Sequence, residues 1–446
     1  MKRNIFPQID DITKKNFRLL LFALIIGLLA GLSGTIFRLT LEFVEHLRIR
    51  LFENAGDSGL MSWIWPLIFA IVGITVSLYL VRRFAPESAG SGVQEIEGAL
   101  DDKRPVRWKR VIPIKFIASL FSLGSGLLLG REGPTIQLGA NIGQMVKDLF
   151  KPADIKSNPL ISAGAAAGLA SAFNAPFAGI IFVIEEMHDH FRFNLFSVAA
   201  IMIGAGVSDF VVRAILDASP VIQMEIYPAP DVLSLWIFVI LGLVFSFVGY
   251  FFNKLLLFSL DYFQFLTKSP VIFVGIITGL CIALIGILYP EMVGGGYTTI
   301  NKVLDHSFSL KFLILLFIVR FFLTVFSYST GVSGGIFIPM LTLGLILGMS
   351  FGTVMQEYFP DFISYPAIFA IAGMAAIFAS TVGAPLTGLV LAIEMTSNFE
   401  LILPLIITTV AATVGTALLG NKPIYATLLQ RTLKESEAPA EQRSSS

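Results

Sequence analysis

Five stretches of this chain are apolar over the length of a bilayer crossing, and nothing else in the sequence restricts its fold as much. Residues 17–45, 61–80, 231–250, 270–290 and 310–327 each approach or exceed the roughly 20 residues that span a hydrocarbon core as a helix, with few charges or none. Backbone at that depth has no water to bond, so such spans are helical. The whole chain agrees. Its 446 residues are 55% hydrophobic and 14% charged, with a mean hydropathy of +0.80, where a soluble domain carries about a quarter charged residues. The expected class is an all-α polytopic membrane protein in a lipid bilayer.

Formal net charge is zero, which gives no reason to expect a nucleic-acid partner. Local charge says more. Lys2, Arg3, Lys14, Lys15 and Arg18 precede the first span, and Arg82, Arg83, Lys103, Arg104, Arg107, Lys109 and Arg110 follow the second. The bias of Lys and Arg toward the inner side makes both clusters cytoplasmic, with the N-terminus inside. Between those spans the charge is mixed: Glu53 and Asp57 stand beside Arg48 and Arg50. No cleavable signal is expected, because Pro7 and two Asp interrupt the basic stretch and the apolar region after it is far too long. Cys281, alone in an apolar run, excludes a disulfide framework. The expected organisation is a cytoplasmic segment 1–16, a membrane domain 17–431 and a short polar tail 432–446, too short for a folded cytoplasmic domain.

The membrane domain repeats itself. GAAAGLASAFNAPFAGIIFVIE (164–185) aligns without gaps on GMAAIFASTVGAPLTGLVLAIE (373–394) at an offset of 209, with ten of 22 positions identical. Upstream, Gly130, Pro134, Leu138, Gly139 and Gly143 pair with Gly335, Pro339, Leu343, Gly344 and Gly348 at an offset of 205. Small residues also serve close helix packing, but packing alone does not keep order and spacing in two copies. Two halves, approximately 17–220 and 231–431, with helices broken at corresponding places, are the mark of a repeat-built transporter whose site lies at the repeat interface.

The broken places carry the chemistry. Proline fits the first turn of a helix, where its missing N–H costs nothing. Helices beginning near Pro134 and Pro339 would aim free N–H groups back at GREGP (130–134) and GIFIP (335–339). Two helix N-termini converging at one depth make an anion site that needs no lysine or arginine, and one weak enough for the ion to leave. Glu132 stands at such a start, so its carboxylate would itself occupy the site until protonated or swung out. Gly90-Ser91-Gly92 lets the backbone approach a ligand and offers a hydroxyl; it reads equally as a turn between helices. Glu185 and Glu186 end an apolar helix and are functional candidates as intramembrane acids, or else a solvated helix end. Glu185-x-x-His188 resembles half of a di-iron motif, but no second such pair exists, so no metal and no cofactor is expected.

Together these segments resemble the CLC family of chloride channels and proton/chloride exchangers, from the first span to Arg431. The resemblance rests on GSGVQEIEGAL (90–100), GREGP (130–134), FNAPFAGIIFVIEEM (173–187) and GGIFIP (334–339). It implies eighteen mostly tilted helices in two halves of inverted topology, meeting at a central anion site, and a homodimer with one pore per subunit. By motif position it implies that Ser91, the backbone amides of Ile336 and Phe337, and Tyr425 (in Pro423-Ile424-Tyr425) hold the anion. Glu132 matches the gating glutamate and Glu186 the internal proton-transfer glutamate. Where the family's first motif usually has proline, this chain has Gln94, which restores an N–H and frees φ. Ser91 favours chloride over nitrate, and the GREGP form argues against the fluoride-exporting branch.

The expected function is therefore secondary active exchange of chloride for protons, not enzyme catalysis, in the inner (plasma) membrane with both termini cytoplasmic. No cytoplasmic nucleotide-binding pair follows Arg431, which is the bacterial pattern. One alternative is a passive voltage- or pH-gated chloride channel of the same fold, against which Glu186 stands, since channel members usually have an apolar residue there. Another is an intramembrane enzyme using Glu132 or the 185/186 pair, against which stands the lack of any serine/histidine or paired metal-ligand arrangement. Within the acid pair, Glu185 as the carrier and a shared proton both stay open. Glu185 is matched by Glu394 in the repeat, whereas Glu186 faces Met395, which favours Glu186.

Overall fold

A computed structural model describes residues 6–57, 60–151, 156–187, 194–216, 218–305 and 308–444. Their architecture is helical: apart from two single-residue bridges, no strand forms among them. The first half holds α1 (Phe6–Asp57), α2 (Ile64–Phe84), α3 (Val93–Leu100), α4 (Trp108–Gly124), α5 (Glu132–Phe150), α6 (Ser157–Phe173), α7 (Pro176–Glu186) and α8 (Leu195–Ile215). The second holds α9 (Leu235–Tyr262), α10 (Gln264–Lys268), α11 (Val271–Leu288), α12 (Tyr297–Leu304), α13 (Leu310–Ser329), α14 (Phe337–Tyr358), α15 (Ala367–Val382), α16 (Pro385–Thr396), α17 (Ile402–Leu418) and α18 (Ile424–Ser444).

Eight of these segments are long and apolar enough to cross a membrane. Three of them, Leu195–Ile215, Phe337–Tyr358 and Phe399–Leu418, are additional to the five runs set out above. Hydropathy alone underrates α14 because glycines and threonine dilute it. Yet 78% of its apolar stretch is buried, against 39% for α2. Helices such as α1 turn Leu21, Leu28, Leu32 and Ile36 outward, an apolar face suited to lipid. Helix also extends past the expected boundaries: α1 begins at Phe6, inside the segment 1–16, and α18 runs through the polar tail to Ser444. Ala, Glu, Lys and Leu there are strong helix formers.

The two halves pack alike. α1, α6 and α8 form one mutually contacting set and α9, α15 and α17 another, while α5 lies on α6 as α14 lies on α15. Glycine explains the last pair. A Cβ at Gly139 would strike the Gly164 carbonyl, and one at Gly344 the Gly373 carbonyl, so each helix pair is in backbone contact. Breaks recur too. α6 ends on Asn174 (φ 54°) and α15 on Gly383 (φ 85°), both left-handed, and Pro176 and Pro385 then open the next helix.

Reciprocal contacts fix how the halves are related. Gly130 and Gly335, partners in the repeat, exchange antiparallel backbone bonds of 2.7 and 2.8 Å. The Glu394 carboxylate at the end of α16 accepts from the Phe177 and Ala178 amides that start α7 (3.1 and 2.7 Å). Glu185 at the end of α7 accepts in return from the Leu386 and Thr387 amides that start α16 (2.9 and 2.7 Å). Such mutual contacts require a two-fold axis between the halves, with α7 and α16 antiparallel. An axis that reverses membrane helices lies in the membrane plane, which is the inverted arrangement.

Candidate functional site

Helices α5 and α14 begin at the same repeat position, and their first turns converge beside the Gly130–Gly335 bridge. Arg131 and Ile336 cap them, Glu132 and Phe337 are their first residues, and Pro134 and Pro339 stand two residues further in. The first N–H groups of each helix have no intrahelical acceptor. Together with the aligned peptide dipoles they make this meeting point favourable to negative charge. Glycine is required for the approach. A Cβ at Gly335 would lie 2.9 Å from the Gly133 amide, and one at Gly133 would collide with Ser91.

The turn bearing Ser91 is anchored from several sides. Gly90 pairs with the loop before α14, donating to the Val332 carbonyl at 2.8 Å and accepting from Gly334 at 3.0 Å. Gln137 of α5 donates to the Glu87 carbonyl at 2.8 Å, and Arg110 forks onto the Glu87 carboxylate at 2.7 and 2.8 Å. Lys115 of α4, fully buried, donates to the carbonyls of Ser88 (3.1 Å) and Gly90 (2.7 Å). Lys115 thus serves the backbone of the turn, and the hydroxyls and helix amides of the site remain its candidate anion donors. The Lys115 amine stands one residue from Ser91 and shares the Gly90 carbonyl with the Gly334 amide. Lys115 is the lone charge in an apolar run, the one sign by which the sequence could have flagged it. Gln94 does not disturb this turn: Gly92 (φ 87°) still caps α3, and Gln94 is its second residue.

The structure brings Ser91, Glu132, Ile336, Phe337 and Tyr425 together. The hydroxyls of Ser91 and Tyr425 are buried and without hydrogen-bond partners; that of Tyr425 is directed toward Ser91 but falls outside bonding geometry. The Tyr425 ring stacks on Phe337, centroids 5.9 Å apart and planes 25° apart, and Phe337 also packs on Phe182 and Phe378. Glu132 is fully buried. One of its oxygens accepts from the Tyr297 hydroxyl at 2.8 Å. The other has no partner in bonding geometry, although the carboxylate faces the Ile338 amide in the first turn of α14. The carboxylate thus stands among the donors of both helix starts.

Glu186 is set apart from this group. It ends α7, where its carboxyl meets that of Glu97 on α3. Neither Glu97 oxygen has a donor group beside it, and a carboxyl pair can hydrogen-bond only when one carries a proton. Tyr425 lies within electrostatic reach of both acids. Glu185, by contrast, is engaged at the start of α16, with a further bond of 2.7 Å from the Thr387 hydroxyl. Glu97 falls within the motif of residues 90–100, and nothing in the sequence places it opposite residue 186. His188, read with Glu185 as half of a di-iron motif, lies outside the described residues.

Residues 73–416 match the family described as voltage gated chloride channel. A relative from Salmonella paratyphi B, named H(+)/Cl(-) exchange transporter ClcA, is 44% identical over 444 residues, covering 98% of this chain and 93% of the relative. A Vibrio cholerae protein of the same name is 43% identical over 438 residues, covering 97% and 94%. The solved structure of a slow cyanobacterial Cl-/H+ antiporter superposes with a TM-score of 0.89 at 38% identity, covering 94% of this chain and 98% of that one.

Proposed function

The chain belongs to the voltage-gated chloride channel family, the CLC proteins, and we propose that it works there as a secondary active transporter exchanging chloride for protons, with Glu132 as external gate and proton acceptor. One observation carries this reading: a buried carboxylate stands at the facing starts of α5 and α14, next to two orphaned hydroxyls. Ionised, Glu132 competes with chloride for the same N–H groups. Protonated, it no longer needs them, and chloride can take its place. A single group then carries the proton and decides whether the anion passes.

Chloride would be held by the hydroxyls of Ser91 and Tyr425 and by the backbone amides of Ile336 and Phe337. Lys115 would add positive potential through the Gly90 carbonyl it fixes. These hydroxyl and amide donors are all neutral, which suits an ion that must leave again. Glu186, paired with Glu97, would pass protons on the inner side of Tyr425. The names of the relatives support exchange over passive conduction, and Glu186 is an acid, as an exchanger needs. The reading carries with it a homodimer with one pore per subunit and an inner (plasma) membrane location with both termini cytoplasmic.

Reversal potential under crossed chloride and proton gradients is the test. An exchanger reverses at a potential that moves with the pH gradient. Reversal at the chloride equilibrium potential, whatever the pH gradient, would mean a passive channel of this fold. The hydroxyls have their own test. Tyr425→Ala is expected to weaken chloride binding measured by calorimetry without abolishing it, because one hydrogen bond to a charged ligand contributes about 1.5–3 kcal/mol, roughly tenfold or more in affinity. Ser91→Pro is expected to shift selectivity toward nitrate. Unchanged binding and selectivity in both variants would remove these residues from the site.

A further inference from the structure

The turn before α12 is the second half's counterpart of the one that carries Ser91. Gly90 to Val93 aligns with Gly294 to Tyr297 at a constant offset of 204. Each turn ends in a glycine of positive φ (87° at Gly92, 132° at Gly296), and an eight-residue helix follows. The pseudo-two-fold sets the turns on opposite sides of the helix starts: Gly133 lies against Ser91, and its repeat partner Ile338 against Gly295. Val93 is an apolar residue, but Tyr297 in the matching place brings a hydroxyl, the one that donates to Glu132 at 2.8 Å.

The turn and ring that carry this hydroxyl are held by contacts that do not involve the carboxylate. Buried Arg320 of α13 donates to the carbonyls of Glu291 (2.8 Å) and Gly294 (2.9 Å) and to the Thr299 hydroxyl (3.2 Å). The Gly294 amide bonds the Gly126 carbonyl at 2.7 Å. The Arg131 guanidinium lies over the Tyr297 ring, 4.6 Å from its centroid, a cation–π contact. Nothing in the anion site or the proton path assigned above uses this residue.

We propose that Tyr297 is the latch of the Glu132 gate, a positioning residue that holds the ionised carboxylate in the pore and sets the external pH at which it lets go. This rests on Glu132 being the gate. The phenol bonds a carboxylate more strongly than a neutral carboxyl, so protonation weakens the latch as it discharges the gate. The charged group facing Glu132 is Arg131 on its own helix; from α1, Glu42 and Glu45 face Arg131 and Arg38 faces Tyr297, while α14 presents the Ile338 amide. Tyr297→Phe leaves all of them in place and removes only the donor.

The experiment is chloride flux into liposomes against external pH. Without the donor the ionised carboxylate loses a partner and takes up its proton at lower acidity. Half-activation in Tyr297→Phe is therefore expected about one pH unit above wild type, roughly tenfold in proton affinity, the lower end of what one hydrogen bond to a charged group supplies. A profile superimposable on wild type overturns the latch. In a Glu132→Gln background, Tyr297→Phe should leave the pH profile of flux unmoved, because the titrating group is gone; a shift there would mark a packing effect and also overturn it. Infrared pH-difference spectra of the wild type give a readout that needs no tyrosine variant: a tyrosine ring band should change together with the carboxyl band, and both should vanish in Glu132→Gln. A tyrosine band that stays silent while the carboxyl titrates counts against the proposal. Loss of coupling in Glu132→Ala beside an unshifted Tyr297→Phe sinks the latch alone, whereas coupling retained in Glu132→Ala sinks the gate and the latch together.

Discussion

Liposomes carrying Glu132→Ala are expected to pass chloride down its gradient and to take up no protons in return. The argument needs only that a carboxylate stands where two helix starts gather negative charge, as Glu132 does beside Gly130–Gly335 and the Ile338 amide. Removing the side chain removes both the competitor for chloride and the group that carries the proton. Glu132→Gln removes the charge and nearly keeps the shape, so it should behave in the same way. Both variants should also lose most of the dependence of flux on external pH, while the wild-type protein speeds up as external pH falls and the gate is neutralised. Proton uptake driven by a chloride gradient is the decisive measurement. Uptake at the wild-type level in Glu132→Ala would leave a CLC fold with some other coupling chemistry.

The second large effect is expected at Glu186. Glu186→Gln should keep chloride flux and lose the coupled proton movement, because amide nitrogen and oxygen in place of the acid cannot take up and release the proton. Its neighbour is the control. The Glu185 carboxylate is committed to two amides and one hydroxyl at the start of α16, so Glu185→Gln should remain proton-coupled and show its cost in stability. Hydrogen bonds to a charged group contribute up to about 1.5–3 kcal/mol each, less where they are partly exposed as here, and the sum is enough to lower the melting temperature in detergent measurably. A Glu186→Gln protein that still pumps protons against their gradient when driven by chloride would move the inner proton station elsewhere, with Glu97 the first candidate because its carboxyl meets that of Glu186.

Repeat symmetry separates those two adjacent acids more clearly than burial does. Glu185 has a partner in Glu394, and the pair of reciprocal caps is a property of both halves. Glu186 has Met395 as its counterpart and makes its contact with an acid from the first half alone. Where a repeat-built protein breaks its own symmetry, it does so with a residue of one half only. Tyr297, matched by Val93, is the same kind of departure on the other side of the site.

Membrane embedding, the two halves and the position of Glu132 are all determined by the sequence alone, because each is written in local signals. Apolar runs have only helices open to them in lipid. Left-handed Asn174 and Gly383 followed by Ala-Pro end one helix and start the next within four residues. Proline two residues after Glu132 and Phe337 marks where a helix begins, and therefore where its free amides point. The partners of those groups are another matter. The Tyr297 hydroxyl reaches Glu132 across 165 residues of chain, and Lys115 reaches Gly90 from a helix that carries no motif. Glu97 of α3 and Glu186 at the end of α7 meet only through the fold. Hydrogen bonds and charges act over a few ångströms in space, with no periodicity or spacing along the chain to announce them, so these partners were decided by the tertiary structure alone.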